Sequence, residues 1–154
     1  MADIQVKTPW EAFMGDVPMH LDYFEGSMYD AVAAIADKYP NNIAFDFMGK
    51  STTYKKMISE INRCAKALKT IGVREGDKVT IAMPNCPQAI YMFYAVNLVG
   101  AIANMIHPLS AEKEIEFYLN ESESVTAITL DQFYNKFENI RNNTKVVNII
   151  IASV

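Results

Sequence analysis

Residues 78–110, KVTIAMPNCPQAIYMFYAVNLVGAIANMIHPLS, decide the fold that the sequence predicts. The stretch opens with a short run of β-branched residues and reaches a turn at Pro84–Pro87. A nearly all-apolar run follows over Ala89–Val99 and ends at Gly100, and a second short apolar run occupies Ala101–Ile106. Strand, helix and strand in this order are typical of a parallel βαβ crossover. Because the helix is apolar on almost every side, we expect it to be buried on more than one face.

The segments on either side continue the alternation of helices and strands. Residues 27–154 predict, in order, a helix capped by Ser27, a β-hairpin made of Ile43–Met48 and Ser51–Thr53, a long amphipathic helix at Tyr54–Ile71, the central crossover, a helix capped by Ser110, a strand at Val125–Leu130, a helix capped by Asp131 and a last strand at Lys145–Ile151. The sequence therefore indicates an α/β fold: a partial parallel-sheet subdomain over residues 27–154 with an N-terminal hairpin.

Residues 1–26 read as an irregular extension that carries several aromatic side chains, among them Trp10, Phe13, Tyr23 and Phe24. Disordered tails carry few aromatic residues. We therefore expect this leader to lie across a surface and to anchor there by its aromatic rings, either on its own domain or on a partner subunit.

Composition restricts the class of protein. With 154 residues, 51% hydrophobic and 21% charged, the chain is long enough and apolar enough to bury a core. A net charge of −4 without a basic block argues against nucleic-acid binding. No apolar signal segment opens the chain, so Cys64 and Cys86 are expected to be free thiols of a cytoplasmic protein. Residues 89–106 approach the length of a membrane-spanning helix, but Asn97, Asn104 and Gly100 argue against that reading.

The last strand is strongly apolar, and no helix follows it in the sequence. Parallel strands are normally covered on both faces, and an uncovered apolar strand promotes aggregation. The pattern predicts that this strand is left bare and that the chain is truncated before the rest of a larger α/β domain.

Motifs for nucleotide chemistry are missing from the sequence. Neither GxGxxG nor GxxxxGK[ST] occurs, and the one turn that could hold a phosphate, Pro84–Pro87, loses two amide donors to its prolines. His107 follows a predicted strand, where open α/β sheets bind ligands, but most residues at strand ends do no chemistry, and a histidine before Pro108 more often only stabilises a turn. No metal site and no catalytic residue are predicted.

Several motifs together resemble the N-terminal portion of AMP-forming acyl-CoA synthetases. They run in one register along nearly the whole chain: LDYFEGSMYD at Leu21–Asp30, Thr52-Thr53-Tyr54, GDKV at Gly76–Val79, PNCP at Pro84–Pro87, Gly100-Ala101 and HPL at His107–Leu109. The Leu21–Asp30 segment is most similar to bacterial long-chain fatty-acid–CoA ligases. The resemblance implies an enzyme that uses ATP and Mg²⁺ to convert a fatty acid to its acyl-adenylate and then transfers the acyl group to CoA.

The same resemblance implies limits. The phosphate-binding loop, the adenine and ribose motifs and the lid lysine of the family have no counterpart in these 154 residues, so the chain is expected to be inactive alone. His107, Pro108 and Ser110 match a region near the acyl and CoA approach and are carried over as wall residues. Long-chain members of the family form dimers through their N-terminal part, so the resemblance implies a homodimer. A complete, non-enzymatic dimerisation or regulatory module remains an alternative, and the missing phosphate loop argues against a third reading, a small flavin-binding protein.

Overall fold

A computed structural model describes residues 8–18 and 20–154 of the chain. Its helices and strands, in chain order, are α1 (Met28–Lys38), β1 (Ile43–Phe47), β2 (Lys50–Thr53), α2 (Tyr54–Thr70), β3 (Lys78–Ala82), α3 (Pro87–Val99), β4 (Ile102–Met105), α4 (Glu112–Glu121), β5 (Thr126–Leu130), α5 (Tyr134–Ile140) and β6 (Asn148–Ala152). Short 3-10 turns occupy Glu11–Phe13, Asp131–Phe133 and Arg141–Asn143.

The sheet is parallel and has four strands in the order β4-β3-β5-β6. β1 and β2 pair separately as an antiparallel hairpin. Both parts of the predicted fold class, the parallel sheet and the N-terminal hairpin, are confirmed. The chain leaves β3 toward one neighbour, β4, and then crosses to the other side of β3 to form β5. The direction of winding therefore reverses around β3, which is the first strand of the crossover that the sequence predicts.

Helices cover both faces of the sheet, and strand alternation divides the core between them. Val79 and Ile81 of β3 pack with α2 and α3 in the larger cluster of buried side chains. Ala82 of the same strand packs with α4 and α5, where Ile115 and Phe137 are almost fully buried. The result is three layers, helix, sheet and helix, which fix the ends of the strands in space.

α3 is buried on several sides, as the sequence predicts. Ala95 and Val96 have no exposed surface. Gly100 ends the helix with φ +83°, a left-handed conformation that favours glycine. Its carbonyl then accepts a 2.9 Å hydrogen bond from the Gly76 N–H, so the turn that ends α3 is tied to the turn that begins β3.

Three predicted boundaries were wrong. α4 begins after Ala111, which is its N-cap residue, rather than after Ser110, and the Ala111 N–H donates to the Glu114 carboxylate at 3.1 Å. Asp131 begins a 3-10 turn, and α5 starts only at Tyr134. β6 starts at Asn148 rather than Lys145, because its pairing with β5 begins there, at Thr126.

The aromatic side chains of the leader are largely exposed, so anchoring on its own domain gains no support and anchoring on a partner subunit stays a prediction. Trp10, Phe13, Tyr23 and Phe24 are 58%, 89%, 82% and 59% exposed, respectively. Their side chains therefore contribute little apolar burial to this chain. Residues 1–7 and Met19, which the predicted leader includes, lie outside the described residues.

The prediction of a bare last strand was only partly right. β6 lies at the edge of the sheet, and Ile151 is 49% exposed. However, Ile149 packs against the α4–α5 cluster and Ile150 against the α2–α3 cluster, so both faces of the strand gain partial cover from helices that precede it. The end of the strand is also held, since Gln88 Nε2 donates to the Ser153 carbonyl at 2.8 Å.

Candidate functional site

A cleft of about 640 Å³ lies at the carboxyl ends of the three strands β3, β4 and β5. Its walls are the segments that directly follow these strands: Met83, Pro84 and Asn85 after β3, Met105, Ile106, His107, Pro108 and Leu109 from the end of β4 onward, and Gln132 and Phe133 after β5. Open α/β sheets bind ligands outside the carboxyl ends of their strands, where the winding reverses. We therefore define this space as the strand-end cleft and treat it as the candidate site.

The predicted site residues form a tight turn beside the strand-end cleft. The Leu109 N–H donates to His107 Nδ1 at 3.2 Å, and the Ser110 N–H donates to the His107 carbonyl at 3.2 Å. Because Nδ1 accepts a hydrogen bond, the other ring nitrogen, Nε2, is the one free to meet a ligand. His107 is exposed, whereas Pro108 is buried.

The structure separates the three predicted wall residues. His107 and Pro108 line the strand-end cleft, whereas Ser110 is not part of its lining. Ser110 instead presents its carbonyl to Lys136, whose Nζ lies 2.8 Å away. Their roles as wall residues of a ligand site stay a prediction.

Sequence reasoning missed the wall of the strand-end cleft that follows β5. Gln132 and Phe133 stand beside the His107 turn only because β5 lies on the side of β3 opposite β4. The signal that could have found them is the one that singled out His107, namely a polar or aromatic residue directly after a strand. It was applied to β4 alone.

An apolar groove of about 400 Å³ adjoins the strand-end cleft. It runs between the hairpin and the start of α3, and aromatic rings dominate its lining, with Phe45, Phe47, Phe93 and Tyr94 among them. Met105 and Asn85 belong to both spaces, so the groove and the cleft meet at the end of β4.

A buried hydroxyl network holds β4 beside β3. Asn104 Nδ2 donates to Thr80 Oγ1 at 2.9 Å, and Thr80 Oγ1 lies 2.7 Å from Ser124 Oγ. Thr80 and Ser124 are fully buried, and buried polar groups are stable only when they are paired. The network therefore fixes the strand that leads into the His107 turn.

The thiols do not make a reactive centre. Cys64 and Cys86 are both free. Burial raises the pKa of the Cys64 thiol, which disfavours the nucleophilic thiolate. Over residues 8–18 and 20–154, no three His, Cys, Asp or Glu side chains gather as metal ligands. In the same ranges, no helix is both long and apolar enough to cross a membrane.

Sequence comparison identifies the family. A family model described as AMP-binding enzyme matches residues 32–153. A long-chain-fatty-acid–CoA ligase of Bacillus subtilis is 30% identical over 152 residues, which are 98% of this chain and 27% of that protein. A crotonobetaine/carnitine–CoA ligase of Shigella flexneri is 31% identical over 104 residues, 66% of this chain and 20% of that protein.

Solved structures agree with the sequence match. A long-chain-fatty-acid–CoA ligase from Archaeoglobus fulgidus superposes with a TM-score of 0.79 at 25% identity, over 86% of this chain and 28% of that chain. The N-terminal domain of FACL13 from Mycobacterium tuberculosis gives 0.77 at 27% identity, over 82% and 34% of the two chains. This chain thus spans 20–27% of the length of those curated relatives. It belongs to the AMP-binding enzyme family and corresponds to the N-terminal region of the acyl-CoA ligases in it.

Proposed function

We propose that this chain supplies the N-terminal segment of an AMP-forming long-chain fatty-acid–CoA ligase. The observation that carries the proposal is the match to the Bacillus subtilis long-chain ligase, which runs over 98% of the chain. The Leu21–Asp30 motif supports the same substrate class, since it resembles long-chain members of the family, whereas His107–Leu109 supports the family in general.

In the whole enzyme, ATP and a fatty acid would form an acyl-adenylate and pyrophosphate, and the CoA thiol would then displace AMP to give acyl-CoA. ATP, Mg²⁺ and CoA are thus the cofactor and substrates that the proposal requires. We assign none of the catalytic steps to this chain. The first turn of α3 begins with Pro87, which lacks an N–H, so this helix start is poorly suited to holding phosphates.

This chain would contribute residues that line one side of the substrate-binding site. His107, Pro108 and Ser110 would border the approach of the acyl group and CoA, with His107 Nε2 as the exposed polar atom. The buried Pro108 would keep the turn rigid, and the adjoining apolar groove would exclude water from one side of the cleft. A wall without the remaining binding groups holds a substrate loosely, so we expect no turnover from this chain by itself.

Two further expectations belong to this proposal. The ligase would work in the cytoplasm, where its substrates ATP and CoA are found. It would also form a homodimer through the aromatic leader. Phe13 and Tyr23, at 89% and 82% exposure, leave large apolar surfaces uncovered, and such surfaces mark interfaces.

Fatty-acid-dependent exchange of labelled pyrophosphate into ATP tests the proposal. We expect this chain alone to give no exchange above a buffer blank. Clear exchange would contradict the proposed role as a wall without catalytic groups. Sedimentation tests the dimer separately, since Phe13→Ser and Tyr23→Ser together should shift a dimer to monomer while Phe117→Ser, at a residue 58% exposed on α4, should not.

A further inference from the structure

Lys136 connects two walls of the strand-end cleft. From α5, its Nζ donates to the Ser110 carbonyl at 2.8 Å and lies 3.3 Å from the Leu109 carbonyl. The same ammonium lies 5.8 Å from the centre of the Phe133 ring. Leu109 and Phe133 both line the strand-end cleft, on the β4 and β5 sides respectively.

The partners of this lysine are unusual for a surface cation. Over residues 8–18 and 20–154, Lys136 takes part in no ion pair. The residue is half-buried, and its ammonium meets two carbonyl dipoles and an aromatic face instead of a carboxylate. The ammonium keeps both hydrogen bonds only while both carbonyls point at Nζ.

The carbonyls depend on the lysine in return. In the described part of the chain, no backbone N–H donates to the Leu109 or Ser110 carbonyl. The Leu109 carbonyl shares its peptide plane with the Ser110 N–H, which donates to the His107 carbonyl and closes the turn. Lys136 thereby holds the turn within which the Leu109 N–H donates to His107 Nδ1.

We propose that Lys136 is a positioning residue for the strand-end cleft, which holds the His107–Ser110 turn in the orientation that presents His107 Nε2. Any effect of this positioning on ligase catalysis rests on the proposed function. The positioning itself is a property of this chain and is tested without any substrate.

The test compares Lys136→Met with Lys136→Arg and with a control, Lys113→Met, by amide hydrogen exchange and His107 ring ¹⁵N spectra. Lys113 is the matched control because it lies on the neighbouring helix with its side chain 86% exposed. Loss of a charged hydrogen bond predicts about tenfold faster exchange at Leu109 and Ser110 in Lys136→Met, measured relative to Ile128 in the buried strand β5.

We also expect the His107 spectrum of Lys136→Met to lose the signature of an accepting Nδ1. Lys136→Arg keeps the charge and donors and should restore most of the protection. Unchanged exchange and spectra in Lys136→Met would overturn the proposal. Equal acceleration at Ile128 would overturn it too, because the lysine would then support the fold in general. Hydrogen exchange and the His107 spectrum are measured without substrate, so failure of the positioning proposal is distinct from failure of the ligase proposal, which pyrophosphate exchange tests.

Discussion

The backbone N–H of Tyr29 donates a 2.8 Å hydrogen bond to Asn97 Oδ1 and so fastens the first turn of α1 to the last turn of α3. The two residues are 68 positions apart, and the bond is partly buried. The first N–H groups of a helix have no partner within the helix, so Asn97 supplies an acceptor that α1 otherwise lacks. An amide that argues against a membrane-spanning α3 is thus used to dock another helix.

Asn97→Ala should lower the free energy of unfolding by about 1 kcal/mol, since it leaves the Tyr29 N–H without its protein acceptor. Urea unfolding followed by circular dichroism measures the change. Asn142→Ala, at an exposed position, is the matched control and should be neutral. Equal stability of both variants would show that the Tyr29–Asn97 bond does not hold α1.

Ile81→Ala should lower the free energy of unfolding much more, by about 2–5 kcal/mol, because the side chain is fully buried in the central strand β3. The same substitution at Ile102, which is 53% exposed on the edge strand β4, should cost much less. Thermal or urea unfolding compares the two. A similar loss at both positions would be inconsistent with β3 as the centre of the core.

Gly100→Ala tests the turn between α3 and β4. A φ of +83° disfavours any residue with a Cβ by about 1–2 kcal/mol, and the added Cβ would also lie 3.0 Å from Glu75 Cγ. Glu75→Ala in the same chain removes the crowding but not the strain. We therefore expect the double variant to recover only part of the loss in unfolding free energy, whereas complete recovery would show that crowding is the whole cause.

Glu60 should make the stability of the chain depend on acid pH. It is 8% exposed, and its carboxylate pairs at 2.5 Å with both Lys56 and Arg63. The hydrogen bond from Lys56 lowers the pKa of this carboxyl below the usual 4.5. Burial raises the pKa, whereas the positive charges of Arg63 and Lys56 lower it further. A lowered folded-state pKa gives stability that is present above the unfolded value and is lost as pH falls through the folded value.

Glu60→Gln should therefore be less stable than the parent at pH 7, and the gap should shrink as pH falls below 4.5. Urea unfolding at several pH values measures the gap. Glu121→Gln, at an exposed position on α4, is the control and should track the parent at every pH. A gap that stays constant with pH would rule out the ionised Glu60 as its source.

Much of this fold follows from local patterns. The apolar run of α3 and the glycine after it predict a buried helix with a left-handed end, and Gly100 has that conformation. The amphipathic pattern of α2 predicts its bounds to within one residue, since it spans Tyr54–Thr70 with Ile71 as its cap. These signals lie within one element and need no knowledge of its neighbours.

The two misplaced helix starts have a related cause. Ser110 and Asp131 are good caps by residue type, but Ala111 takes the N-cap position of α4, where its N–H donates to Glu114, and Asp131 Oδ1 accepts the next amide, that of Gln132, at 2.8 Å in a 3-10 turn. Hydrogen bonds between side chains and the nearby backbone decide such ends. Propensity alone does not rank the competitors.

The strand-end cleft was found only in part because it is a product of topology. His107 could be located from its own strand, but its neighbours Gln132 and Phe133 come from a strand on the other side of β3. The strand order β4-β3-β5-β6 was not predicted. Lys136 was missed for the same reason, since it reaches a turn 26 residues earlier in the sequence.

A chimera tests the central claim most directly. The segment of the Bacillus subtilis ligase that matches this chain is replaced by these 154 residues, and formation of long-chain acyl-CoA is measured. The account predicts that the chimera makes acyl-CoA, while the same ligase with the segment deleted makes none. A chimera that unfolds cooperatively and binds ATP but forms no acyl-CoA would contradict the account and favour a non-enzymatic module.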